Sequence, residues 1–222
     1  IIATKLGLQG IPDIAELIII ERDLTLLENI KCRYHISQIS SLKSVETIKR
    51  RKERVKFTCG VSINNLSLNE NDIGDFKTFL KLSPPLRTEE DREALVKGLN
   101  DKTIDVIVSD HKPEDEESKR LTFAQAATGA SGIETLLSLS LELYHNDSVK
   151  LETIIRALTS NPAKILQIDK GNLSIDNDAD FCIVDINKPW IVKQENLVSK
   201  SKNTSIENKK LQGKVLNTFV KG

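Results

Sequence analysis

The sequence predicts an α/β fold of parallel βα units, followed by a smaller β-rich C-terminal segment. Three observations carry this. Strand-like apolar runs alternate with segments of helical periodicity from Pro12 to about Leu166. One of those runs, Ile104–Ser109, has β-branched aliphatics at four of its six positions, the pattern of a strand buried on both faces. From about Gly171 the helical period stops and short alternating runs take over. Strands and helices in alternation mean parallel pairing, in a doubly wound sheet or in a barrel.

Along the chain, Ile14, Leu17, Ile18, Leu24, Leu27 and Ile30 recur at helical spacing through Pro12–Ile30. Arg33–Ile39 alternates as a strand, which puts His35 in phase with Ser37 and Ile39 and out of phase with Gln38. Ser40 or Ser41 caps a helix over Leu42–Val55. Phe57–Ile63 is the second strand, and the polar stretch after it is loop. The Pro84-Pro85 pair removes two backbone donors and ends any helix there. Thr88 then caps Glu89–Leu99, whose acidic first turn suits the helix dipole. After the Ile104–Ser109 strand come a polar loop to Arg120 and helices near Thr122–Ala127, Ile133–Tyr144 and Leu151–Thr159. In the tail, Asp176-Asn177-Asp178 lies between apolar runs and suits a turn that tolerates positive φ.

Composition narrows the function classes. The 222 residues suffice for one good core, or for one domain and a small appendage. Lys+Arg and Asp+Glu balance at 32 each, so nothing pulls the chain towards nucleic acid or a membrane surface. No run has the length of a transmembrane helix, and no signal-peptide layout opens the chain. Cys32, Cys59 and Cys182 are widely spaced without a CxxC pattern, as expected of reduced thiols in a cytoplasmic protein. The first residues, IIATKLGLQGIP, read as the interior of a loop, so the chain is expected to be a piece of a longer polypeptide.

Few residues are candidates for chemistry. Asp110 and His111 fall where the Ile104–Ser109 strand leaves the sheet, the end at which α/β barrels place their sites. The plainer reading of Asp110 is a cap on the following loop. His35 within a strand reads as a hydrogen-bonded structural residue, and His145 as a solvated helix end. The basic run Lys49–Arg54 lies on a helix and reads as a solvated face. GxxxxGK[ST], GxGxxG and GxSxG do not occur, so phosphate-loop and serine-hydrolase chemistry have no support.

Seven ordered motifs then point to a family. They are RYHISQIS (33–40), FTCGVSINNLSL (57–68), the segment from SPPLRTEEDREALVKGL to IDVIVSDHKP (83–113), ATGASGIETLLSLSLEL (127–143), NPAKIL (161–166), GNLSIDNDADFCIVD (171–185) and SKSKNTSIENKKLQGKV (199–215). In this order they resemble the C-terminal half of the bacterial dihydroorotase family, cyclic amidohydrolases of pyrimidine synthesis. A hydantoinase-type relative is the weaker resemblance, because TEEDREALVKGL favours the dihydroorotase branch. The resemblance implies the later strands and helices of a (β/α)8 TIM-type barrel over residues 1–165. It implies the second half of a composite β-sandwich over residues 166–222.

In that family a hydroxide held between divalent metals, usually zinc, attacks the ring amide, and the metals lower the pKa of the bound water. The eighth-strand aspartate, a metal ligand and proton shuttle, maps onto Asp110. The sixth-strand histidine ligand maps onto Gln38, and an amide oxygen is a poor donor to zinc beside imidazole. The substrate-side positions map onto Ser83, in place of an asparagine, Glu114, in place of a histidine, and Gly129 in the glycine loop. A histidine pair after the seventh strand is replaced by Asn64-Asn65. The remaining ligands would lie before Ile1.

Altered site positions on a retained scaffold lead us to expect a non-catalytic dihydroorotase-like chain. Its expected partners are an N-terminal half of the same polypeptide or a second copy, and aspartate carbamoyltransferase, with no nucleic acid or membrane. The competing expectation is an active enzyme completed by an N-terminal half, with zinc held in part by Asp110.

Overall fold

A computed structural model describes residues 2–222. A three-stranded parallel sheet, in the order β1 (His35–Ile39), β2 (Thr58–Ser62), β3 (Val106–Val108), carries the site at its C-terminal end. The opening residues, expected as loop, form the short helix α1 (Ile2–Lys5). Helix α2 (Asp13–Leu27) leads into β1 and buries Ile20, Leu24 and Leu27.

The β1–β2 ladder is irregular. Ile36 pairs with Cys59 but Ile39 pairs with Val61, so three steps along β1 answer two along β2. The strict alternation expected from the sequence is broken here, and both Ile36 and Ile39 face the core. An extra residue of this kind bends a strand and re-aims its side chains. Gly60 makes the close approach possible, since a Cβ there would stand 2.5 Å from the Ser37 carbonyl oxygen.

Helix α3 (Leu42–Lys52) starts on Ser41, whose hydroxyl accepts from the Ser44 N–H. Its basic run is exposed at Lys49 and Arg50, as expected of a solvated face, and carries surface ion pairs: Lys49 with Asp101, Arg50 and the more buried Arg51 with Glu21, and Lys52 with Asp105. The stretch after β2 is helical, not loop. Ser62 caps α4 (Ile63–Ser67), and Ile63 and Leu66, one turn apart, are both buried. A 3₁₀ turn over Glu70–Ile73 follows, closed by an Asn69–Asp72 capping box. Helix α5 (Glu89–Asn100) begins, as expected, with a capping box between Thr88 and Asp91.

Strand β3 is shorter than its apolar run. Beyond it, the loop expected to run to Arg120 contains α6 (Glu116–Arg120), capped by Asp115. Thr122–Ala127 is turn, not helix; the Thr122 carbonyl accepts from the Gln125 and Ala126 N–H groups, but the Ala124 and Ala126 carbonyls go to Lys81 and the ladder does not continue. Helices α7 (Leu136–His145), α8 (Leu151–Leu158) and α9 (Ser160–Leu166) complete the helical part, α9 having been read only as a motif. Leu24, Ile39, Ile48, Ile63, Leu95 and Leu139 pack in one core.

The tail forms one antiparallel ribbon, β4 (Phe181–Ile191) with β5 (Lys210–Phe219). The two runs read separately, around Phe181 and Trp190, belong to a single strand with register shifts at Ile183/Val184 and between Asp185 and Pro189. Asp176 has the expected positive φ, 71°. The ribbon packs on α7: Trp190 Nε1 donates to Ser138 Oγ at 3.1 Å, and Ser138 Oγ donates to the Gly213 carbonyl at 2.7 Å. His145 is not a solvated end. It is half-buried, and its Nε2 lies 2.9 Å from the Ile186 carbonyl, joining α7 to β4. No helix among the described residues is long and apolar enough to cross a membrane.

Candidate functional site

The site is built where β1 and β3 end. Gln38 on β1 and Asp110 just past β3 are 72 residues apart in sequence, yet Gln38 Nε2 donates to Asp110 Oδ1 at 3.0 Å. The irregularity in β1 lies between Ile36 and Ile39 and spans Gln38. Asp110 has φ 48°, in the left-handed region that aspartate tolerates better than most residues. The strain is held by what surrounds it. His111 N–H donates to Ser109 Oγ at 3.3 Å, and His111 Nδ1 accepts from Gly132 N–H at 3.2 Å. Gly132 abuts the strand end so closely that a Cβ would lie 2.4 Å from the Ser109 carbonyl oxygen.

Asp110 is half-buried. Burial pushes its carboxyl above the usual aspartate range, against the downward pull of the Gln38 N–H and the Lys112 charge. Among the described residues, Gln38 Oε1 is buried without a partner, as are Asn64 Nδ2 and Asn65 Oδ1 in α4 just past β2.

The other expected positions make no hydrogen bond to this pair among the described residues. Ser83 is exposed, and no hydrogen bond joins it to Gln38 or Asp110 among the described residues. Glu114 pairs with Lys112 at 3.6 Å. Gly129 is buried with φ 134° against the Lys112 side chain. His35 is structural as expected: its Nδ1 meets Thr58 Oγ1 at 2.7 Å, and burial lowers its pKa. The three cysteines are free thiols, Cys59 buried with its pKa pushed up to about 12.

Two residues that sequence reasoning passed over hold the loops here. Lys119, 2% exposed, donates from Nζ to the Thr78 carbonyl at 3.0 Å and the Ala127 carbonyl at 2.8 Å, and burial pulls its pKa down to about 8. Asn203 sits buried between the Glu114 and Gly129 loops. It lay inside a recognised motif, but nothing in local pattern marks a buried asparagine as a junction between distant loops.

Zinc needs several nitrogen, sulfur or carboxylate donors converging on one point. Among the described residues no group of three or more His, Cys, Asp and Glu could hold a metal ion. The Gln38 amide presents an N–H to the Asp110 carboxylate, not an oxygen, and the Glu16 carboxylate beside the end of β1 is taken up by Ser40 and Ser44. The residues of this chain do not by themselves fit zinc.

A parallel sheet with polar residues at its strand ends, flanked by helices and joined to a β ribbon, is a mixed α/β scaffold with its site at the carboxyl ends of the strands. The chain belongs to the amidohydrolase family, whose model matches residues 13–222. It is 44% identical over its whole length to the dihydroorotase of Ehrlichia chaffeensis and 43% identical to that of Ehrlichia canis. It spans about half the length of these curated relatives, 50% in each case. Among solved structures, the L-hydantoinase (dihydropyrimidinase) of Arthrobacter aurescens superposes with a TM-score of 0.86 at 28% identity, over 91% of this chain and 47% of that one. The dihydropyrimidinase of Brevibacillus agri, at 20% identity and TM-score 0.88 over 95% of this chain and 48% of its own, shares the fold.

Proposed function

We propose that this chain is a dihydroorotase-type amidohydrolase segment of pyrimidine biosynthesis that has given up metal-assisted hydrolysis and serves as a structural partner. The observation that carries the reading is the Gln38–Asp110 hydrogen bond. Where family chemistry asks for an imidazole ligand beside the aspartate, an amide N–H takes up a lone pair of the carboxylate. That N–H occupies one acceptor site of the carboxylate and supplies no metal donor where the family has one.

In this proposal β1, β2 and β3 are the last three strands of an eight-stranded barrel, within residues 1–165. The β4–β5 ribbon, within residues 166–222, is half of a sandwich. The outer edges of β1 and β3 have no neighbouring strand among the described residues, and unpaired edges call for a partner strand. The other half of the polypeptide supplies it, or a second copy does. Aspartate carbamoyltransferase is the proposed assembly partner, and the cytoplasm the proposed location.

The test is an assay of the full polypeptide at saturating zinc for interconversion of dihydroorotate and carbamoyl-aspartate. No turnover, with co-elution alongside aspartate carbamoyltransferase, is the expected result. Turnover abolished by Asp110→Ala would overturn it.

One observation favours a second reading. Asp110 is half-buried with a raised pKa at a strand end, the condition of a carboxyl prepared to exchange a proton. With the relatives named dihydroorotase, this supports an enzyme completed by first-half ligands. In that enzyme Gln38 would release Asp110 to a metal, most often zinc in this family, and Asp110 would hold the proton.

A further inference from the structure

The loop after β3 and the glycine loop are joined backbone to backbone. Lys112 N–H donates to the Ala130 carbonyl at 2.9 Å, and the Gly132 N–H meets His111 Nδ1 at 3.2 Å. A third segment, distant in sequence, closes this junction. Asn203 Oδ1 accepts from the Glu114 N–H at 3.3 Å and from Ser131 Oγ at 3.0 Å. Its Nδ2 donates to the Gly129 carbonyl at 3.1 Å, and its backbone carbonyl accepts from the Ser131 N–H at 3.1 Å. Ser201 Oγ adds a bond to the Glu114 carbonyl at 2.5 Å and also reaches Asn203 Oδ1.

One amide thus satisfies a donor of one loop and an acceptor of the other. Asn203 is 4% exposed. A buried amide uses its donor and acceptor faces as separate, non-interchangeable contacts, so it fixes the relative height of the two loops as well as their proximity. That height matters at Asp110, because a residue at φ 48° keeps its conformation only while its surroundings over-determine it.

We infer that Asn203 is a positioning residue for Asp110: by locking the Glu114 loop to the Gly129 loop, it sets the direction in which the Asp110 carboxylate faces Gln38. The C-terminal segment thereby completes the strand-end site without touching its polar pair. This goes beyond the functional proposal and holds whether or not the site turns over, so an activity result alone leaves it standing.

The test uses the full polypeptide, by hydrogen exchange and ¹⁵N NMR at a single fixed pH. In Asn203→Ala, exchange at the Lys112, Glu114 and Gly132 amides accelerates at least tenfold. The Gln38 side-chain amide resonances move to the positions of a solvated amide, and the β2–β3 ladder keeps its protection. Ser205→Ala removes a comparable tail contact, the 2.7 Å bond to Asn64 Oδ1, and leaves the Gln38 signals where they are. Asn203→Asp keeps the acceptor and loses the donor to the Gly129 carbonyl; it frees the glycine loop, so exchange at Gly132 accelerates while the Glu114 amide stays protected. Asn203 has no positioning role if the Gln38 signals are unmoved in Asn203→Ala, or if every amide in the protein loses protection alike. Should Asn203→Ala not fold, equal loosening of both loops in Asn203→Asp overturns the inference.

Discussion

Gln38 holds Asp110 through a single 3.0 Å hydrogen bond that joins the ends of two strands which are not neighbours, β2 lying between them. The bond spans the mouth of the sheet, and the side-chain amide favours the charged form of a carboxyl that burial pushes towards neutrality.

Gln38→Leu is therefore expected to destabilise the protein in a pH-dependent way. The raised folded pKa of Asp110 means its ionised form is a cost at neutral pH, which the Gln38 N–H offsets. Removing the amide leaves a charged acceptor with one partner fewer, a loss on the order of 1–3 kcal/mol. The loss should shrink as pH falls and Asp110 takes up its proton. Urea unfolding of both proteins at pH 4 and pH 7.5 checks this; an identical loss at the two values would contradict it.

Lys119 gives the opposite sign. Its folded pKa of about 8 lies below the ordinary lysine value of 10.5, so from pH 8 to 10.5 the native state binds fewer protons than the unfolded chain. Its burial cost is fully present below pH 8 and is relieved as pH rises through that window. Stability measured against a Lys119→Met variant should shift in favour of the wild-type chain between pH 7 and pH 10. A pH-independent difference would show that Lys119 titrates as a solvated lysine.

Gly132→Ala and Gly60→Ala test the close backbone contacts. A Cβ would meet the Ser109 oxygen at 2.4 Å in the first and the Ser37 oxygen at 2.5 Å in the second, and backbone cannot rotate away as a side chain can. Each should cost on the order of 3 kcal/mol or more. Gly10→Ala, where the nearest atom is a side-chain carbon at 3.3 Å, is the tolerated control in thermal unfolding.

Thr88→Ala removes the side chain that closes the α5 capping box with Asp91. A loss of about 1 kcal/mol is expected. Thr88→Ser should restore most of it, measured by the urea midpoint.

Much of this was legible in the residues. Thr88 before an acidic turn and Ser41 before α3 are local signals, and the helices begin where those signals fall. The Ile104–Ser109 run announced a buried strand with Asp110 at its exit, and Gln38 and Asp110 do meet. What alternation could not convey is the extra residue in β1, because a register shift depends on what the partner strand offers, here Gly60. Nor could it convey that the carbonyls of Ala124 and Ala126 are taken up by Lys81, so that a helical-looking stretch remains turn. The Asn203 junction was hidden for the same reason: its partners come from loops 70 to 90 residues away, and no short window contains both ends.

That junction orders events during synthesis. Chains emerge N-terminus first, at roughly 5–20 residues per second, and elements fold as they clear the ribosome. Strands β1 to β3 and the loops around Asp110 emerge well before Asn203, yet the amide that joins those loops arrives only with the tail. The strand-end site is thus among the last parts of this chain to mature. A ribosome stalled or a message truncated ahead of residue 203 would yield a chain with its sheet in place and its site loops unjoined.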